Sequence, residues 1–594
     1  GARWNTKRHC SPSPSGNFLA RAYNSRMGPQ TKQCQNCKSD FIIEPEDFAF
    51  YNKIKVPPPT FCPDCRFQRR LAFFNATNLY RRKCDLCHKE SISTFHSDAP
   101  YVVYCPKCWW SDAWNSLDYG RDYDFSRSFF EQLKELWHRV PLLALSTDPD
   151  SMISSPYTHD VGHAKNSYLI FHGDNCEDSA YGFYSHKTRS VFDCTAIVES
   201  EMCYDGMHSY RTNRCIGARD QLANSIDCIF CRDCMNCQNC FGCANLKNKK
   251  YHIFNKPYTK EAYFEEIKKY DLGSYKGYVA AQRAAEEFWK TQIVKSEYNE
   301  FVENCTGPNI FFSKNVKDSI EVQPAEDSRW LFLMFGLPTK DSYDISTRGD
   351  NLTESYEGCV VGANATRMLF CQEAGLDFRN AEYCKISTSA ADHFGCVSVR
   401  KTKHCILNRQ YPKEEYEALR EKIIRHMNDM PYTDAHGNVY RYGEFLPPEI
   451  SPFAYNETLA QNFFPLTKAE AEGKKYPWRV IERAEQMATL TAEDLPDHIK
   501  DAPDNIVNET IKCPACPRAY RIIQMELDFL RQMNVPLPRK CPTCRIEEKL
   551  NIWVKNQDRH HRTCSTCGTS FESKYTEAEA PKALCRKCYN AEVI

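Results

Sequence analysis

Through the middle of the chain, short apolar stretches alternate with polar residues and are divided by Asn, Asp and Gly. SYLIF (167–171), SVFDCTAI (190–197), NSIDCIF (224–230) and YHIFN (251–255) are followed later by NIFFS (309–313), DSIEV (318–322), DSYDI (341–345) and CVVGA (359–363). These are too short for sheet domains with long connections. Many short strands with frequent turns predict a stacked solenoid, in the form of a parallel β-helix. An irregular antiparallel β-sandwich is the alternative.

Helical periodicity occurs elsewhere. Thr259 is a candidate N-cap for a stripe of Tyr263, Ile267 and Tyr270, and Pro412 opens one of Tyr416, Leu419, Ile423 and Met427. Ser128 to Glu131 and Thr467 to Glu470 are capping boxes, and 278–294 reads as a further helix. Residues 443–466 are Pro-rich and read as a strap.

Two internal duplications organise these elements. Segment 241–267 matches 394–420 at an offset of 153, and each copy ends in an amphipathic helix. At the termini, VPPPTFCPDCR (56–66) matches VPLPRKCPTCR (535–545), and Phe50 falls on Phe529. The pairs Cys34/Cys37, Cys62/Cys65, Cys84/Cys87 and Cys105/Cys108 recur as Cys513/Cys516, Cys541/Cys544, Cys564/Cys567 and Cys585/Cys588, displaced by 479 and then 480 residues. The chain therefore divides into an arm (1–33), a zinc-ribbon pair with a helix (34–147), a first β-rich half (148–258), a helical connector (259–304), a second β-rich half (305–408), a helix and linker (409–505) and a second ribbon pair (506–594). The fold class is mainly β with α, with duplicated ribbon pairs flanking a duplicated β-rich centre.

The chain carries 33 Cys in 594 residues, and all sixteen in the terminal groups stand as Cys-x-x-Cys. Two such turns complete a tetrahedron of thiolates around Zn²⁺, and four Cys with no open position describe a closed structural site. About four zinc ions are expected, two at each end, in a reducing, cytoplasmic compartment. Gaps of 24 residues (Cys37 to Cys62) and 17 (Cys87 to Cys105) pair neighbouring knuckles, but the 18 residues between Cys65 and Cys84 also fit a site. Six further cysteines, Cys228, Cys231, Cys234, Cys237, Cys240 and Cys243, recur every third residue. They could hold a metal or iron–sulfur cluster, but no Pro follows as a bacterial cluster run requires. The second copy matches only Cys396, so packing of small buried thiols is the favoured reading.

Charge excludes little and locates one surface. Lys plus Arg equals Asp plus Glu at 77 each, so any polyanion site must be a local patch. The run between the N-terminal ribbons holds Arg66, Arg69, Arg70, Arg81, Arg82 and Lys83 among aromatics including Tyr80. Arginines interleaved with aromatics can neutralise phosphates and stack on bases, so RNA is the expected partner. Arg545, Lys549 and Arg562 make a weaker copy at the other end, where Glu547 and Glu548 offset the charge. The longest apolar run, 330–337, falls well short of the roughly 18 residues of a membrane helix. The chain opens on Gly1, without a secretory apolar core, and an upstream segment stays open.

Three functions remain. The first is a non-enzymatic, zinc-stabilised scaffold that binds nucleic acid through its terminal ribbons. The second is a protein-assembly module, with a protein partner or a second copy. The third is a β-solenoid carbohydrate-active hydrolase or lyase, for which His159, His163, His172, His186 and His208 with Asp160, Asp174, Glu199 and Asp205 are the candidates, although no fixed spacing links them.

Phe50, Tyr51, Pro59, Cys62, Cys65 and Arg66 resemble the pattern of bacterial probable-zinc-ribbon domains, and 84–109 resembles their companion ribbon. With 118–132, 239–255, 451–471 and 495–504, the whole order resembles a family of large uncharacterised multi-zinc-ribbon proteins from uncultivated, small-genome bacteria. The resemblance implies this architecture and a cytoplasmic setting, and supplies no mechanism.

Overall fold

Thr158 pairs with Ile170, twelve residues on, and Ile170 pairs in turn with Gly182. All three chain segments run parallel, which identifies a solenoid and excludes the antiparallel sandwich. The structure is a computed structural model that describes residues 28–480 and 487–593; most of the expected arm, with Cys10, lies outside them. The first solenoid runs from Met152–Ile153 to Lys256–Pro257, and the second from a bridge at Glu300 to Arg409–Gln410. Their turns are 12 residues long in Lys314↔Glu326, 13 in Tyr343↔Tyr356 and 14 in Arg329↔Tyr343.

The narrow turn has a local cause. Nearly every third residue has a positive φ, as in Asp160 (54°), His163 (45°), Asn166 (47°), Leu169 (52°), His172 (53°), Asn175 (54°) and Asp178 (49°). Asn and Asp tolerate this left-handed conformation best, which explains the polar residues between the β-prone stretches. The residue that follows points inward. Val161, Ala164, Ile170 and Cys176 form one buried cluster, and Cys194, Cys203, Cys215, Cys228, Cys231, Cys234, Cys237, Cys240 and Cys243 share another.

The interior takes side chains from Ala and Cys up to Ile170 and Phe378, and the small ones with a donor also bond the backbone. Ser225 Oγ donates to the Ala223 carbonyl and accepts from the Cys237 N–H, twelve residues on. Cys194 Sγ makes the same two bonds, to the Phe192 carbonyl at 3.2 Å and from the Gly206 N–H at 3.2 Å. Cys228, Cys231, Cys234, Cys237, Cys240 and Cys243 each donate to the carbonyl two residues before, at 3.3–3.7 Å. They are corner residues of the solenoid. Among the described residues, no convergent group of metal-compatible side chains includes them.

The helices cap as their sequences require. Thr259 Oγ accepts from the Ala262 N–H, and both capping boxes close. Pro412 sits one position before the helix Lys413–Asp429, whose buried stripe is Tyr416, Ile423 and Met427.

The two solenoids lie side by side and antiparallel. Asp160 meets Arg348, the Tyr184 and Phe335 rings lie 4.4 Å apart, and His208 Nε2 lies 3.0 Å from Glu321. Contacts thus run forward along one solenoid and backward along the other. The order of the chain sets the ribbon pairs on either side of the β-rich centre. In space they fold back onto the solenoid flanks, each onto the solenoid more distant in the chain.

Candidate metal centres and the ribbon–solenoid interfaces

Each ribbon builds one four-cysteine group from a hairpin and a helix. In the first, Gln30–Gln33 pairs with Asp40–Ile43 around the Cys34/Cys37 knuckle, helix α1 (Pro45–Ile54) follows, and Cys62 is the N-cap of helix α2 (Pro63–Leu71). The C-terminal copy places helix α3 (Gln524–Met533) before Cys541, the N-cap of helix α4 (Pro542–Lys555). The second ligand pair therefore sits in the first turn of a helix, where free N–H groups favour thiolates.

Four groups can each hold a zinc ion: Cys34/Cys37/Cys62/Cys65, Cys84/Cys87/Cys105/Cys108, Cys513/Cys516/Cys541/Cys544 and Cys564/Cys567/Cys585/Cys588. This pairs neighbouring knuckles and settles the alternative in which Cys62/Cys65 joined Cys84/Cys87. The geometry fits the metal. Sulfurs at the corners of a Zn tetrahedron of 2.3 Å bonds lie ~3.8 Å apart. Cys37–Cys62 and Cys516–Cys541 are 3.6 Å apart, Cys567–Cys585 3.7 Å and Cys513–Cys544 3.9 Å.

The electrostatics point the same way. Burial pushes the Cys84 and Cys513 thiols up, but converging backbone N–H groups win and bring both down to about 7. Cys34 is held well below the thiol range, first by side-chain bonds from Cys62 and Cys65. Burial raises Cys541 to about 11 beside these anions. Thiols crowded this closely cannot all ionise together without a cation.

The arginines assigned to RNA point elsewhere. Arg66 and Arg70 are completely buried and Arg69 is 3% exposed, so the α2 face carrying them is closed to phosphates. Arg66 Nη2 and Arg70 Nη1 each lie 2.9 Å from the Asp344 carboxylate, and Arg70 Nε donates to Ser346 Oγ. Arg69 pairs with Glu357 at 2.7 Å and Glu444 at 3.3 Å. Phe50 stacks on Tyr343 at 3.9 Å, and Arg329 grips Asp47 at 2.8 Å. The N-terminal unit is thereby fastened to the second solenoid.

The C-terminal unit repeats this on the first solenoid. Arg545 pairs with Asp193 and, at 2.8 Å, with Glu526; Lys549 pairs with Asp205; Phe529 stacks on Phe192 at 4.1 Å. Burial lifts the Asp193 carboxyl to about 6 despite Arg545, whereas Lys549 and Arg219 overcome burial and bring Asp205 down to about 2. Arg545 and Lys549 are thus interface residues, not phosphate ligands.

The remaining patch residues divide. Arg82 donates to the carbonyls of His96, Ala99 and Tyr101, and Arg562 likewise to those of Tyr575, Thr576 and Ala580, so both hold ribbon loops. Tyr80 bonds Glu457 through its hydroxyl, and its ring meets His96 edge-on at 4.9 Å with Arg479 over it. Arg81 and Lys83, on the other face of the same strand, are exposed. An amphipathic basic helix suits a carboxylate wall as well as a phosphate chain. The acids that receive it stand at left-handed corner positions, Asp193 and Asp205 in one solenoid, Asp344 and Glu357 in the other. Their separations of 151 and 152 residues lie close to the sequence offset of 153, which is the signal that could have found them.

The candidate catalytic groups divide: His159, Asp160, His172 and His186 lie near one another, with the His172 and His186 ring centres 6.2 Å apart, and the others stand elsewhere. His172 Nδ1 lies 2.7 Å from Asp160, which also binds Arg348. His163 pairs with Asp174 at the surface, and Glu199 with Lys187 and Arg211. Asp205 is in the α4 interface and His208 at the solenoid–solenoid contact. His159 borders a cavity of about 90 Å³, smaller than a sugar ring.

No family model and no curated protein matches the chain. Among solved structures, a "putative acetyltransferase from Desulfovibrio desulfuricans G20" is similar at 9% identity over 50% of this chain and 86% of that chain, with a TM-score of 0.10, too slight to carry an argument.

Proposed function

We propose that the chain is a non-enzymatic, zinc-stabilised scaffold, in which the ribbons clamp two solenoids into one rigid frame that presents a partner-binding surface. The observation that carries this reading is the reciprocal docking: Arg66 and Arg70 on Asp344, and Arg545 on Asp193, each crossing to the distant solenoid. Buried ion pairs of this kind specify a geometry more than they add stability. Zinc supports them indirectly, because ribbon folding energy comes from the metal and α2 and α4 both start at ligands. A reducing, cytoplasmic setting agrees with the absence of disulfides among the described cysteines, and the resemblance to large multi-zinc-ribbon proteins agrees with the frame. Among the described residues, no helix is long and apolar enough to cross a membrane.

Removing zinc from the full chain with a strong chelator tests the reading. Proteases should then cut α2 and α4 first, and the particle should expand in small-angle scattering. An unchanged envelope and digestion pattern would overturn it. Of the N-terminal cations first assigned to RNA, Arg81 and Lys83 are the two that stay exposed.

A further inference from the structure

A concavity of about 1070 Å³ lies between the second N-terminal ribbon and the opening turns of the first solenoid. It shares Ser154, Pro156 and Tyr157 with a neighbouring hollow of about 590 Å³ that reaches Phe529, so the two form one groove. Arg81, Lys89 and Lys107 line its ribbon wall and are exposed. None of them forms an ion pair among the described residues, whereas the α2 and α4 cations are consumed in the interfaces. The one acid on that wall, Glu90, stands opposite Lys83 across the hairpin. The floor carries Tyr157 and Tyr168, with ring centres 5.2 Å apart at 66°. At the far end, Asp178 and Asp528 reverse the charge.

We infer that this groove, resting on the scaffold reading above, binds single-stranded RNA. Phosphates run along Arg81, Lys89 and Lys107, and a base stacks on Tyr157. Unpaired cations beside an open aromatic face are what unpaired nucleotides require. The exposed hydroxyl of Ser154 on the wall offers a partner to a ribose 2′-OH, which selects RNA over DNA. Asp178 and Asp528 repel the backbone and limit the bound stretch to a few nucleotides. The C-terminal copy has His561, Thr569 and Lys587 where this wall has Arg81, Lys89 and Lys107, so the site belongs to the N-terminal unit alone.

The test uses the zinc-loaded full chain and fluorescein-labelled oligo(U) of twelve nucleotides, with binding read by anisotropy across a salt series. Arg81→Glu with Lys89→Glu should weaken binding at least tenfold and flatten the log–log salt slope by roughly 0.7 per lost phosphate contact. Tyr157→Ala should weaken it about fivefold or more with the slope unchanged. Zinc content and melting of the variants should match the parent, which separates a failure of the groove from a failure of the clamp. The inference is overturned if the parent does not bind oligo(U), if the charge reversal leaves affinity within twofold, or if oligo(dT) or oligoglutamate binds as well as the RNA.

Discussion

Arg66 and Asp344 lie 278 residues apart in sequence, yet Arg66 Nε donates to the Asp344 carboxylate at 3.0 Å with both side chains fully buried. Arg545 and Asp193 repeat the relationship with the order along the chain reversed.

Breaking this pair leaves a buried charge uncompensated. Asp344→Asn should destabilise the N-terminal docking by about 3–5 kcal/mol, because Arg66 and Arg70 both lose their carboxylate. Adding Arg66→Met and Arg70→Met should restore part of it, because the orphaned charges are then gone. Thermal melting, with proteolysis of α2 as the local readout, checks both; a single variant as stable as the parent would contradict the interface.

Metal content should divide by ribbon. The purified reduced protein should hold about four zinc ions, and Cys513→Ser about three, with the N-terminal unit intact. Elemental analysis by mass spectrometry measures this directly.

Cys234→Ser should leave both the zinc count and the melting temperature nearly unchanged. Serine already fills the same corner role at Ser225, donating backward and accepting from the next turn. A loss of bound metal would show a role beyond packing.

Gly217 has a φ of +64°, and a Cβ there would come within 2.2 Å of the Phe230 ring. Gly217→Ala should cost about 2–4 kcal/mol from the backbone conformation and the overlap together. Pairing it with Phe230→Leu should recover the steric part, seen as a higher melting temperature than the single variant.

Acid should loosen the first solenoid through His186. Burial, reinforced by His172, holds this imidazole down to about 4, against roughly 6.5 when unfolded. A depressed folded value means the stabilisation is complete above about 6.5 and is lost as pH falls towards 4, up to about 3 kcal/mol. His186→Phe should flatten the fall in melting temperature between pH 7 and pH 4.5; an unchanged slope would rule this group out.

The four-cysteine groups were legible because metal chemistry fixes residue type and spacing together, and a second copy repeats both. The solenoid was legible as short strands, but its three-residue beat was hidden because inward positions accept Cys, Ser, Ala and Val alike. The cysteine run from Cys228 to Cys243 is where that beat surfaces, and it suggests metal chemistry before it suggests a corner. The basic helix was not legible. Arg66, Arg69 and Arg70 look identical whether they meet a phosphate or Asp344 and Glu357, and only the duplication within the β-rich centre carries the acids' positions.

The crossed docking of the ribbons also sets a timetable for synthesis. At roughly 5–20 residues per second, the partner of Arg66 leaves the ribosome on the order of half a minute after it. Until then the amino-terminal unit has no seat, and its arginines and the aromatic face around Phe50 stand open to water and to other nascent chains. The carboxy-terminal unit emerges onto a finished first solenoid and docks at once. The interval in which this protein is vulnerable to misassembly therefore belongs to its beginning, and it ends when the second solenoid is complete.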